Sequence, residues 1–156
     1  MAVQPTETSL AWVNGTLFET IGPGGDRLQL DMPLAKGGSG VGFSPMTLLL
    51  HAVAACMAVT VVQILAKQRV TLESYRLDIV GERAPEPPSP YTRIVVTHRL
   101  RGDGLTQANV ERLVQLVEER YCSVAATLPR GLIEHIVILG ATDETDAQQS
   151  ETVTIA

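Results

Sequence analysis

Aromatic residues are scarce in this chain: one Trp, two Phe and three Tyr among 156 residues. That leaves little with which to build a stacking platform for single-stranded bases. Positive charge is also short, with 12 Lys and Arg against 17 Asp and Glu and a formal net charge of −5. A nucleic-acid binder carries a basic face instead. Cysteine occurs only at Cys56 and Cys122, and histidine only at His51, His98 and His135. Neither a CxxC nor an HxxxH spacing is present, so no metal site is expected. No GxSxG elbow occurs, which sets aside a serine hydrolase. The glycine cluster GGSGVG, residues 37–42, lacks the Gly-Lys-Ser/Thr ending of a phosphate loop and the third glycine of a dinucleotide fold. It reads as a flexible turn, and no cofactor is expected. The opening residues, MAVQPTETSL, have neither a basic n-region nor an apolar h-region. The expectation is a cytoplasmic protein whose two cysteines are free or transiently redox-active rather than a permanent staple.

What the chain has in quantity is apolar surface. Hydrophobic residues make up 45% and charged residues 19%, the balance of a globular chain. Residues 1–140 are read as one domain with a real core, and residues 141–156 as a polar tail in which Thr152 to Ile155 can add an edge strand. The apolar run from Met46 to Ala66 reaches membrane-spanning length. Thr47, His51, Thr60 and Gln63 interrupt it, so a buried core helix is the better reading. A helix apolar on nearly all sides needs cover from more than a single sheet. That favours a homodimer with the helix near the interface.

Hydrophobic period orders the rest. LAWVNGTLFETI alternates, with Asn14-Gly15 as a turn or bulge. RLQLD is a short strand. Ser44 caps the long helix, with Pro45 at its first position. VTLESYRLDIVGER and YTRIVVTHRLRG alternate on either side of a proline-rich loop and read as a long hairpin. Thr106 to Tyr121 is a second helix, with Val110, Leu113, Val114, Val117 and Tyr121 on one face. LIEHIVILG is the last strand. Strands, helix, strands, helix, strand without βαβ alternation predicts an α+β fold with mainly antiparallel sheets.

The thiols are the chemistry left to weigh. Cys56, Thr60 and Gln63 fall at i, i+4 and i+7, one modestly polar stripe on an apolar cylinder. Cys56 is mid-helix and gains nothing from the helix N-terminus; Cys122 is placed at a helix C-terminus, where the dipole opposes a thiolate. A reactive Cys56 therefore needs a cation from another element, and Arg27, Arg83 and Arg93 are the candidates. From composition alone, two buried and unrelated cysteines are the favoured reading.

The block SPMTLLLHAVAACMAVTVVQIL, the hairpin after it, and then VERLVQLVEERYCSV resemble the OsmC/Ohr family of thiol-dependent hydroperoxide reductases, on its YhfA-like branch. The likeness spans about residues 9 to 139 and includes AWVNG and the glycine-rich lead into the helix. The resemblance implies an intertwined homodimer, with sheets wrapped around central helices and active sites at the subunit interface. It implies that Cys56 matches the peroxidatic cysteine and Cys122 the resolving one. Two positions depart from the family pattern. Met46-Thr47 stands where the family usually has a glutamate, and the Asn14-Gly15 turn lacks the family's arginine. Arg27 or Arg83 would have to substitute. Activity expected from the resemblance is reduction of an organic hydroperoxide, with an external dithiol as partner and no nucleic acid or membrane. Leu49, Ala52, Val53, Thr60 and Thr47 are the expected pocket, with Val59 beside them. The rival reading is a non-enzymatic module of the same fold that binds a small hydrophobic ligand at the dimer interface.

Overall fold

The computed structural model describes residues 6–140. The chain divides into two compact units, residues 1–49 and 50–156. The first unit holds a three-stranded antiparallel sheet in the order β1 (Ala11–Asn14), β2 (Leu17–Ile21), β3 (Arg27–Leu30). Asn14-Gly15 turns β1 into β2, as its turn chemistry suggests, with Gly15 at a φ of 48°. The register slips between Trp12 and Asn14, and the Trp12 indole closes the turn by donating to the Gly15 carbonyl at 3.1 Å.

A carboxylate organises the segment after β3. Asp31 accepts from Thr16 Oγ1 at 2.5 Å, from the Met32 and Ser39 amides at 2.7 Å each, and from Ser39 Oγ at 2.5 Å. The glycine-rich segment is thereby clasped to the β1–β2 turn. The Phe43 amide then donates to the Gln29 carbonyl at 3.0 Å. Gly42 is required there, because its φ is 77° and any Cβ would collide with Gln29. Ser44 follows and caps α1 (Pro45–Lys67) by accepting the Thr47 amide at 3.1 Å.

The second unit carries the larger core. In α1, Val53, Met57, Val61 and Leu65 recur every fourth residue and are buried. They join Ile94, Val96 and Leu100 of β5 (Tyr91–Gly102) and Val110, Leu113, Val114 and Val117 of α2 (Gln107–Arg120) in one cluster. Helix α1 passes the length and apolarity test for a membrane span, yet this stripe is core packing. Val59 and Val62, on its other side, stay exposed in the single chain. Strand β4 (Leu72–Arg83) pairs along its length with β5. Gly81 lets the Tyr91 ring and Leu50 close over β4, since a side chain there would strike the ring.

The sheets are mainly antiparallel, as expected, with one parallel pairing that the element order did not suggest. Strand β6 (Ile133–Leu139) pairs with β5 in parallel, from Ile94↔Ile133 to Leu100↔Leu139. Helix α2 turns the chain back between them, so β5–α2–β6 is a βαβ crossover and the sheet is mixed. The other pairings are antiparallel, and the α+β class stands. The tail, with its expected edge strand, lies outside the described residues.

Candidate functional site

Helix α1 places Cys56 one position before Met57 of the buried stripe. Its thiol is half-buried and packs against the core cluster. Cys122 arrives by a different route. Val117 O accepts both the Tyr121 amide at 3.0 Å and the Cys122 amide at 2.8 Å, which ends α2. Cys122 then turns extended, at φ −86° and ψ 99°, and opens the short helix α3 (Ser123–Ala126). Its sulfur accepts the Ala125 amide at 3.3 Å. The cysteine expected at the tail of one helix is therefore the joint between two, and backbone N–H groups point at its sulfur.

Burial nevertheless dominates. Only 2% of Cys122 is exposed, and burial, followed by a hydrogen bond to Cys56, pushes its thiol up to about 11 against the pull of the Ala125 and Val124 amides. The two sulfurs thus meet. Burial holds Cys122 in its thiol form beside Cys56, and of the two residues Cys56 is the more exposed. The contact between residues so distant in sequence is the most specific feature of the second unit. Among the described residues both are free thiols.

The candidate arginines are engaged elsewhere. Arg27, in the first unit, pairs with Glu19 at 2.5 Å. Arg83 donates Nε to the Ser89 carbonyl at 2.7 Å and acts on Tyr91 through its charge. Arg93 lies between Glu82 and Glu134, at 2.6 and 2.7 Å. Of the expected pocket residues, Val53 is fully buried in the core and Ala52 is half-buried beside it. The Thr60 hydroxyl donates to the Cys56 carbonyl at 2.9 Å, so the polar stripe turns partly back on its own helix. Thr47 and Leu49 fall in the first unit, where Thr47 Oγ1 lies 2.7 Å from Ser44 Oγ.

A second polar constellation escaped the sequence reading, which weighed the histidines only as metal ligands. Tyr75 Oη lies 2.7 Å from His98 Nδ1, His98 Nε2 lies 3.2 Å from His135 Nδ1, and His135 Nε2 lies 2.8 Å from Glu118 Oε2. Burial first, and the charge of His135 second, push His98 down to about 3. Burial also raises the Tyr75 phenol well above its usual range. A signal was present. His98 occupies the buried phase of Ile94, Val96 and Leu100, and His135 that of Ile133 and Val137, where a polar side chain must find partners.

Comparison with known proteins places the fold in a family. Residues 37–136 match the family model described as OsmC-like protein. The chain is 33% identical to Protein YhfA of Escherichia coli over 127 residues, covering 81% of this chain and 91% of that one. A hypothetical protein of Aquifex aeolicus superposes with a TM-score of 0.77 at 24% identity, over 90% of this chain and all of that one. An organic hydroperoxide resistance protein OsmC of Legionella pneumophila superposes with a TM-score of 0.64 at 22% identity, again over 90% of this chain and 100% of that one. With its family model matched over most of the described fold and a relative 33% identical over four fifths of its length, the chain belongs to the OsmC family.

Proposed function

We propose that this protein reduces organic hydroperoxides by a two-cysteine cycle. The observation that carries the reading is the hydrogen-bonded pair of a half-exposed Cys56 and a buried Cys122. The name of the Legionella relative adds support by family. The Cys56 thiolate attacks the distal peroxide oxygen. The O–O bond breaks, the sulfur becomes a sulfenic acid, and the departing alkoxide takes a proton to leave as alcohol. Cys122 sulfur then attacks the sulfenic sulfur, an S–S bond forms, and the hydroxyl leaves as water. An external dithiol returns two electrons and two protons. Held as a thiol by burial, Cys122 does not compete for the peroxide, because the thiolate is the nucleophile.

In this reading Leu49, Ala52, Val59, Thr47 and Thr60 surround the substrate, with Val53 in the core behind them, and their aliphatic bulk favours a fatty or aromatic hydroperoxide. The exposed Val59 and Val62 meet a second copy, making a homodimer. Arg83 or Arg27, from the same chain or the partner copy, supplies the cation. A rival reading, a non-enzymatic binder of a small hydrophobic ligand, is favoured by the engagement of both arginines with other partners. Purified protein given cumene hydroperoxide and a dithiol separates the two. Catalytic peroxide loss supports the cycle. Stoichiometric binding without consumption supports the rival.

A further inference from the structure

We propose that α3 is a redox-sensitive turn, wound while Cys122 is a thiol and unwound once Cys122 is joined to Cys56. The inference rests on the pairing of the two sulfurs put forward above, and not on which oxidant joins them. Cys56, Cys122 and α3 all lie in the second unit.

Each α-helix starts on a side-chain cap, and the three caps differ in one respect. Ser44 Oγ accepts the Thr47 amide ahead of α1, Thr106 Oγ1 accepts the Asn109 amide at 3.3 Å ahead of α2, and Cys122 Sγ accepts the Ala125 amide at 3.3 Å ahead of α3. The two hydroxyl oxygens are inert to thiol oxidants. The sulfur is the one cap atom that oxidation can turn into a covalent link. Helix α3 also has little else to hold it. It is four residues long, and so short a helix does not persist on its own hydrogen bonds. Those are the Ala126 amide to the Cys122 carbonyl at 3.0 Å, Thr127 to Val124 at 3.1 Å and Leu128 to Ala125 at 3.0 Å. The first of them begins at Cys122 itself.

On oxidation the two thiols give up two protons and two electrons, and one S–S bond forms. Bonded sulfurs sit closer than hydrogen-bonded ones, so one side has to give. Cys56 is in the middle of the 23-residue α1, one position before Met57, and Val53, Met57, Val61 and Leu65 lock that helix into the core. Cys122 is at the joint between α2 and α3, in extended backbone at φ −86° and ψ 99°. The movement therefore falls on the Cys122 side. A sulfur drawn toward Cys56 turns away from the Ala125 amide, and the first turn of α3 loses its cap.

The consequence is a change of surface beside the new disulfide. In the reduced chain Ala125 is buried, and Val124 and Leu128 pack against the core. Unwinding α3 loosens these apolar side chains from the core. Helix α2 is not affected in the same way, because its cap is an oxygen and its start is tied to β6 by the Gln107 amide, which donates to the Val137 carbonyl at 2.8 Å. The oxidised chain thus differs from the reduced one in residues 123–128, and a dithiol reductant that docks there engages only the form it can reduce.

Amide hydrogen exchange on the full-length protein, reduced and after treatment with diamide, tests the turn. Diamide takes up both electrons and both protons, so no hydroperoxide is needed. On forming the intramolecular disulfide, wild type should lose about tenfold or more of its protection at the Ala125, Ala126, Thr127 and Leu128 amides, while Val61 in α1 and Val114 in α2 keep theirs. Cys122→Ala has no cap atom and should show the low protection without any oxidant. Cys122→Ser has a capping oxygen, so its protection should be high with or without diamide. Equal protection in the reduced and disulfide forms of wild type would overturn the proposal. So would loss at Val61 with residues 125–128 unchanged, which would put the movement in α1. If diamide joins no cysteines, the turn and the sulfur pairing fall together. If diamide forms the disulfide and hydroperoxides do not, the hydroperoxide reading falls and the exchange result still decides the turn. Should Cys122→Ala fail to fold, the two forms of wild type decide alone.

Discussion

Among the described residues each unit buries one polar side chain, Asp31 in the first and His98 in the second, and the two are satisfied in opposite ways. Asp31, in the first unit, accepts only from hydroxyls and backbone amides of Thr16, Met32 and Ser39. None of these partners titrates near neutrality, and the Ser39 and Thr16 hydroxyls, with the amides, hold the carboxyl well below its usual range. His98, in the second unit, is bonded to a phenol and to another imidazole. Burial holds it neutral. The Asp31 clasp is insensitive to pH over the range in which cells live. The His98 site holds an imidazole that burial keeps neutral as pH falls below the ordinary histidine range. A buried carboxylate ringed by neutral donors gains stability from its charge, and a buried imidazole gains it from staying neutral.

The largest test of this contrast removes each centre. His98→Leu leaves the Tyr75 hydroxyl and His135 Nδ1 without their partner inside the core. It should cost about 2 to 3 kcal/mol at pH 7, read from urea unfolding. Asp31→Asn puts an amide where four donors converge, so it should lower the urea midpoint by a constant amount from pH 5 to pH 8. A pH-dependent loss in Asp31→Asn over that range would break the comparison.

The next effect is the pH dependence itself. His98 has a folded value near 3 against about 6.5 for a free imidazole. A depressed histidine contributes stability that is complete above the unfolded value and is lost as pH falls below it. Stability should therefore drop by about 1.4 kcal/mol per pH unit below about pH 6.5, continuing toward pH 3. The lowered carboxyls of Asp31, Asp78 and Glu134 add their own loss only below their unfolded values, near pH 4. Between pH 6 and pH 4.5 the slope should vanish in His98→Leu and persist in Asp31→Asn.

Smaller still is Tyr75→Phe, which removes the inner donor and leaves His98 Nδ1 unpaired. A loss of about 1 kcal/mol is expected, with the pH slope kept. At the bottom of the scale, Glu134→Gln weakens an exposed ion pair to Arg93. Exposed pairs are worth little, so the urea midpoint should not move.

How much of this was legible in the sequence depended on the range of the causes. Local period and capping chemistry placed the long helix behind Ser44, the Asn14-Gly15 turn and the β4–β5 hairpin, because each is decided within a few residues. The parallel pairing of β6 was not legible, since it depends on where α2 returns the chain. Nor was the position of Cys122. A continuous helical pattern through Tyr121 hides the end of α2 at Arg120 that makes Cys122 the cap of α3. The cysteine motifs drew attention to Cys56 and Cys122 together, but not to burial as the cause that keeps Cys122 protonated. The Tyr75–His98–His135–Glu118 chain was missed because its members are far apart in sequence and become neighbours only through strand register.

The central claim is that Cys56 and Cys122 are a working redox pair with unequal roles. Its most direct test is thiol counting with mass spectrometry after one equivalent of an organic hydroperoxide, on wild type, Cys56→Ser and Cys122→Ser. Wild type should lose both thiols to one intramolecular disulfide. Cys122→Ser should stop at a Cys56 sulfenic acid, and Cys56→Ser should keep its remaining thiol, since a group near pKa 11 is thiolate only about once in ten thousand at pH 7. Two free thiols in wild type after exposure, or equal loss from both single variants, would contradict it.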